Sequence, residues 1–252
     1  MYKITEMYLT KNKYSRPGII REKTTKIAIH YVGNPGSTAL ANRRYFENLK
    51  NGQGTYASSH YIVGLAGDVL ACVPEEEIAY TTNSANAYSI GIECCHKDAT
   101  GEFNSKTRQA LIELVGDLLI KYNLTTDDII RHYDVTGKAC PLCWASNSGK
   151  KYEDYCLFKR QVADYLATKS TDKELAEAIS KIIKSGIDIE YNKWKREDLM
   201  KLADVKYLIE KLGGIDKLEE RGIIHNRGLW EKEEYTTKHV KSLLVKYASR
   251  CS

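Results

Sequence analysis

The chain has 252 residues, 42% of them hydrophobic and 28% charged, with a net charge of +5, which describes one large or two modest globular domains with ample material for a core. Charge is spread evenly, 17 basic against 14 acidic residues in 173–252, so there is no basic block of the kind that binds nucleic acid. No apolar run approaches the ~20 residues of a membrane span, and Met1–Glu6 is not followed by the apolar stretch of a secretory signal. The expectation is a soluble protein kept in the cytoplasm, whose seven cysteines serve as free thiols or metal ligands rather than as a disulfide framework.

In chain order, Lys26–Val32 is a β-rich run broken by Gly33-Asn34-Pro35-Gly36, which places His30 near the end of a strand. Ser37 is positioned to cap a helix over 38–50, closed by Gly52 and Gly54. Residues 58–64 and 68–73 flank a turn at Leu65-Ala66-Gly67 and form a hairpin. A polar loop follows from Glu75 to Asn86. Ser89–Cys95 is the next strand, with Glu93 in phase with Gly91 and Ser89 and opposite Ile90 and Ile92. Leu111, Leu114, Val115, Leu118, Leu119 and Tyr122 define a helix that opens at Asn104 or Ser105. Asp128–His132 is a short strand, and 153–167 is helical. Strands interspersed with helices predict an α/β domain with a mixed central sheet flanked by helices.

The polar stretch Thr168–Asp172 marks a break, after which the character changes. Three helical stripes follow: Leu175, Ile179, Ile182 and Ile183; Val205, Leu208, Ile209 and Leu212; Val240, Leu243, Leu244 and Tyr247. Gly186-Ile187 precedes Trp194 as Gly222-Ile223 precedes Trp230, with the same spacing. The tail therefore predicts a small all-helical domain of two repeats packed on each other. The expected division is 1–167, a linker at 168–173, and 174–252, with repeats at 174–213 and 214–252.

The chemistry concentrates in Arg131–Pro141, where His132, Lys138 and Cys140 lie within nine residues. An imidazole and a thiol around a glycine turn are zinc-ligand types, although such a loop also occurs with an incidental His and Cys. A hydrolytic zinc centre needs a third ligand, and His30 is the natural one. Glu93, a carboxylate on an otherwise apolar strand, is costly to bury without a partner or a role. Beside a metal it can serve as general base, with Lys138 stabilising an oxyanion. Cys140-Pro141-Leu142-Cys143 also fits a redox or structural-zinc C-x-x-C. Cys94 and Cys95 cannot both face one metal from a strand.

His30 at a strand end, Ser59-His60-Tyr61-Ile62-Val63, Ser89–Glu93, and His132 through Lys138-Ala139-Cys140-Pro141 occur in the order in which they resemble the type 2 N-acetylmuramoyl-L-alanine amidases. That family includes phage endolysins, bacterial autolysins and, more distantly, peptidoglycan recognition proteins. The resemblance covers roughly 22–167. It implies Zn2+ held by His30, His132 and Cys140, with Glu93 activating the attacking water and Lys138 acting on the oxyanion. The implied substrate is peptidoglycan, cut between N-acetylmuramic acid and L-alanine. Some members carry a catalytic tyrosine just before the hairpin histidine; here that place holds Ser59, which points to the branch that relies on the strand glutamate. His60 matches a cleft position, and Asn86 and Tyr88 are expected to border the substrate groove.

The tail resembles, more loosely, helical modules of clostridial and related Gram-positive amidases. This implies binding to the cell wall or a secondary wall polymer, with homo-oligomerisation through the helices as the alternative use of the tail. The expected whole is a phage endolysin active in host cytolysis, held in the host cytoplasm until a holin-type lesion releases it to the wall. The alternatives are a host autolysin and a non-catalytic peptidoglycan-binding protein of the same fold.

Overall fold

The computed structural model describes residues 2–52, 54–195, 197 and 200–251. The chain divides into two compact units, Met1–Leu166 and Ala167–Ser252. The first is built on a six-stranded sheet: β1 (Ile4–Glu6), β2 (Lys26–Tyr31), β3 (Tyr61–Val63), β4 (Val69–Ala71), β5 (Ser89–Cys94) and β6 (Ile129–Arg131). The strand order is β1-β4-β3-β5-β2-β6. The hairpin strands β3 and β4 pair antiparallel, and the other neighbours run parallel. Central strands of such a sheet are covered on both faces, so β2 and β5 read as near-continuous apolar runs. The three-residue edge strand β1 is exposed along its length and carries no alternation that would have marked it in the sequence.

One face of the sheet, with Ile27, Ile29, Ile90 and Ile92, packs on Leu111, Leu114, Val115 and Leu118 of α2 (Ser105–Tyr122) and on Phe158 and Val162 of α4 (Gly149–Lys184). A second cluster joins Ile62 and Leu70 to Ala39 and Phe46 of α1 (Ala39–Asn48). Cys94 belongs to the first cluster and Cys95 to the second, as strand alternation requires. All seven cysteines are free thiols. α2 starts where Asn104 Oδ1 accepts from the N–H groups of Lys106 and Thr107 at 2.9 and 3.0 Å. The cap of α1 is Thr38, not Ser37: Thr38 Oγ1 accepts from Ala41 N at 3.2 Å, while the Ser37 hydroxyl turns back to Asn34 O at 2.7 Å. β6 ends at Arg131, and His132 opens a short helix, α3 (His132–Thr136), instead of closing the strand.

The expected linker at 168–173 is corrected. α4 runs unbroken from Gly149 to Lys184, so there is no second helix start near 174. No Gly or Pro interrupts 150–185. Gly186, with φ 91°, follows the helix end. The second unit continues with α5 (Tyr191–Trp194), α6 (Val205–Lys211), α7 (Gly214–Glu220), α8 (Arg227–Glu231) and α9 (Thr237–Ala248). Its core gathers the three predicted stripes, except Ile183, which is 37% exposed, and encloses both Trp194 and Trp230. Among the described residues, no helix is long and apolar enough to cross a membrane.

Candidate metal centre

Four elements deliver the site. β2 and β5 are parallel neighbours with His30 opposite Glu93, so both side chains leave the same face of the sheet. β6, on the other edge of β2, hands the chain to α3, whose first residue is His132. The turn after α3 needs a left-handed residue, and Gly137 supplies it with φ 74°. The returning strand of the loop is tied down by Tyr133 N donating to Cys140 O at 2.9 Å. Arg131 braces the site from behind, donating to the carbonyls of Trp144 and Ser146 at 2.7 and 2.6 Å and pairing with Asp134.

His30, His132 and Cys140 are all buried, and their ligand atoms lie within 4.8 Å of one another. His30 Nδ1 is 3.2 Å from His132 Nδ1 and 3.6 Å from Cys140 Sγ. Ordinary Zn–N and Zn–S bond lengths in a tetrahedron put two nitrogens about 3.3 Å apart and a nitrogen and sulfur about 3.6 Å apart. The far edges of both rings are occupied: His30 Nε2 meets Thr82 Oγ1 at 2.8 Å, and His132 Nε2 meets Asn83 Oδ1 at 3.1 Å. Asn83 Oδ1 can only accept, so His132 carries its proton on Nε2. Thr82 Oγ1 gives its own proton to Thr81 Oγ1 at 3.0 Å, so it accepts from His30 Nε2–H. Both Nδ1 atoms are then bare lone pairs facing each other, an arrangement that a cation stabilises. The His30–His132–Cys140 geometry is that of a zinc site, and the donor set is the one zinc prefers.

Electrostatics agree. Burial, with the neighbouring His132 and the Lys138 charge, holds the His30 pKa well below the usual imidazole range, and burial and Lys138 lower that of His132. Both rings are therefore neutral, the form that ligates. Burial pushes the Cys140 thiol up to about 12, seconded by Glu93 and opposed by the Tyr31 backbone N–H and Lys138. That value belongs to the metal-free chain; coordination to a divalent ion reverses it.

Glu93 and Lys138 both line the cleft that opens over these ligands, a cavity of about 620 Å3 whose lining also includes Tyr45, Tyr56 and Tyr80. Glu93 is partly exposed to the cleft, yet its Oε2 is enclosed and has no hydrogen-bond partner among the described residues. Burial raises its carboxyl to about 8, with the Lys138 ammonium pulling the other way. In its ionised form, which the Lys138 charge favours, a carboxylate this basic with a free oxygen beside a metal site can take up a proton.

Of the expected groove residues, Asn86 lines the cleft, but its Oδ1 is already used: it accepts from the N–H groups of Thr81 and Thr82 at 3.0 and 2.6 Å. Tyr88 is exposed at 37% and is not part of the cleft wall. The expectation for His60 is corrected. It is fully buried, its Nδ1 accepts from Gly91 N at 3.0 Å, and its Nε2 donates to Glu77 O at 2.9 Å. It completes the hydrogen bonding between the start of β3 and β5 and is not among the residues that line the cleft. Ser59 is likewise fully buried and outside the cleft wall. Cys143 packs in the core, apart from the three-ligand cluster.

Sequence reasoning missed Thr82 and Asn83, which sit in what read only as a polar loop, and Arg21, a buried guanidinium bonded to Thr24, Glu77 O and Ser89 O. One signal was present. Gly91 interrupts a strand, and a Cβ there would lie 2.3 Å from Thr81 Oγ1. A glycine inside a strand marks a close approach, here of the loop that supports His30.

Residues 21–143 match the family described as N-acetylmuramoyl-L-alanine amidase. The chain is 37% identical over 191 residues to N-acetylmuramoyl-L-alanine amidase BlyA of Bacillus subtilis (strain 168), covering 67% of this chain and 49% of that protein. It is 35% identical over 187 residues to N-acetylmuramoyl-L-alanine amidase CwlL of Bacillus licheniformis, covering 69% and 50%. The chain thus spans about half the length of the curated relatives it matches. Among solved structures, a mutant endolysin from Bacillus subtilis superposes with a TM-score of 0.53 at 25% identity, covering 64% of this chain and 99% of that one.

Proposed function

Through residues 21–143 this chain belongs to the N-acetylmuramoyl-L-alanine amidase family, and we propose that it is a zinc-dependent peptidoglycan hydrolase, an endolysin that cuts the amide between N-acetylmuramic acid and L-alanine. The observation that carries this reading is the convergence of His30 Nδ1, His132 Nδ1 and Cys140 Sγ beside the unpartnered Glu93 Oε2. These three residues would hold the zinc, which when bound supplies a Lewis acid for the scissile carbonyl and lowers the pKa of water. Glu93 Oε2 takes a proton from the attacking water as the new C–O bond forms. Lys138 offers its ammonium to the carbonyl oxygen as negative charge develops there. Glu93 then returns the proton to the amide nitrogen, the C–N bond breaks, and the peptide leaves with a free L-alanine amino group while the lactyl side keeps a carboxylate.

The test is zinc content together with product analysis on purified Gram-positive walls. New L-alanine amino termini are expected, with no new reducing sugar ends. Wall binding by zinc-loaded protein with no new amino termini overturns the reading.

For residues 174–252 we infer two repeats that bind the wall or a secondary wall polymer. Support comes from matching landmarks: left-handed Gly186 and Gly222, short helices carrying the buried Trp194 and Trp230, then α6 and α9. A second binding site keeps a hydrolase on an insoluble polymer by raising its effective concentration. Burial of both tryptophans assigns them to packing rather than to sugar stacking. Pelleting with walls tests the role: a chain ending before the second unit is expected to stay in the supernatant where the full chain sediments, and equal sedimentation overturns it. The endolysin reading carries with it a host-cytoplasmic store released to the wall through a holin-type lesion. Oligomerisation through the tail helices is the competing use of that unit.

A further inference from the structure

We propose that the dipeptide Thr82-Asn83 is a positioning device that sets the tautomers of both metal-binding imidazoles, so that each presents Nδ1 to the ion as a bare lone pair. This rests on the zinc-site reading above and deepens it, because neither residue is a ligand or touches the reacting atoms. A neutral imidazole has one N–H and one lone pair, and the partner of one nitrogen decides which is which. Thr82 Oγ1 donates its single proton to Thr81 Oγ1 at 3.0 Å, and in that orientation it accepts from His30 Nε2 at 2.8 Å. Asn83 Oδ1, at 3.1 Å, can only accept from His132 Nε2. The opposite tautomers would leave Asn83 Oδ1 facing a bare nitrogen, would draw the Thr82 proton away from Thr81, and would point two N–H groups at each other across the 3.2 Å gap between the Nδ1 atoms.

The surrounding chain is built to hold this dipeptide. Thr82 is fully buried, so water does not compete for its hydroxyl. Asn86 Oδ1 clamps the Thr81 and Thr82 N–H groups. Gly91 leaves the space against β5 that Thr81 occupies. Asn83 sits at φ 54°, a left-handed conformation that asparagine tolerates better than most residues and that turns its amide toward His132. Consecutive residues of one loop thus serve one ligand from a strand and one from the start of a helix, a supporting role more often filled by carboxylates and backbone carbonyls.

The experiment uses the full chain. Zinc affinity is measured by competition with a chromophoric chelator, and the ring-nitrogen states of the six histidines are read by 15N NMR on metal-free protein. Thr82→Val keeps the shape and removes the acceptor. Asn83→Gly keeps the left-handed backbone and removes the amide. Each is expected to weaken zinc binding roughly 10- to 100-fold and to give His30 or His132, respectively, a mixed tautomer signal. Thr82→Ser and Asn83→Asp, which restore an oxygen acceptor, are expected to recover both readouts. Unchanged affinity and unchanged tautomers in Thr82→Val and Asn83→Gly overturn the proposal, as does failure of Thr82→Ser to recover a loss seen in Thr82→Val. Wild-type protein that binds no zinc defeats the underlying zinc-site reading, whereas the tautomer spectra of the metal-free protein still judge the positioning role by itself.

Discussion

His60 provides a quantitative test of the assignment that removes it from the cleft. Burial, and next the Arg21 guanidinium, hold its pKa at about 4 in the folded chain against an ordinary value of 6.5. The unfolded chain therefore takes up a proton near pH 6.5 and the folded chain does not until about pH 4. Stability from this group is complete above the unfolded value and is lost progressively as pH falls toward the folded one. At about pH 5 the unfolded chain is favoured by about 1.5 units at 1.36 kcal/mol per unit, or about 2 kcal/mol. His60→Gln removes the titration while leaving an amide that can meet Gly91 N and Glu77 O. Urea unfolding of both proteins at about pH 7.5 and about pH 5 isolates the difference, because His30, His132 and any bound zinc are common to both. Wild type is expected to lose about 2 kcal/mol more than His60→Gln over that interval. Equal losses would refute the buried, neutral His60, and a large fall in kcat with normal stability would return it to the cleft.

Further expectations concern the site and its frame. Glu93→Gln should bind zinc as wild type does while turnover falls roughly 10²- to 10⁴-fold; unchanged turnover removes the glutamate from proton transfer. Cys140→Ser should do the reverse in order of cause, losing zinc first and activity with it, which metal analysis after dialysis reports. Gly91→Ala forces Thr81 away from β5, since the new Cβ would lie 2.3 Å from its Oγ1. It should lower both stability and zinc affinity, and a stability loss with undiminished zinc affinity would separate the loop from the metal site. Trp194→Ala empties a fully enclosed core position and should cost about 3–5 kcal/mol in denaturant unfolding.

Periodicity and ligand chemistry carried much of this protein. The alternation in Ser89–Cys94 already put Glu93 on the face opposite Ile90 and Ile92, because side-chain direction in a strand is set by parity alone. The stripes at 175–182, 205–212 and 240–247 named the core of the second unit for the equivalent reason in helices. His132, Lys138 and Cys140 announced themselves by lying within nine residues, and His30 joined them through the family resemblance. What the chain could not state locally is which strands become neighbours. That His30 stands opposite Glu93 follows from the parallel pairing of β2 with β5, a contact between residues 63 positions apart. Thr82 and Asn83 gain their roles only when Gly91 admits their loop to the sheet and Asn86 pins it. His60 matches a cleft position in sequence, yet its ring bonds Gly91 and Glu77, since the direction of a ring depends on partners distant in sequence. Sequence thus determined which side chains are chemically capable. Tertiary pairing decided which of them share a face, which nitrogen each imidazole offers, and which polar residues are spent on holding the others in place.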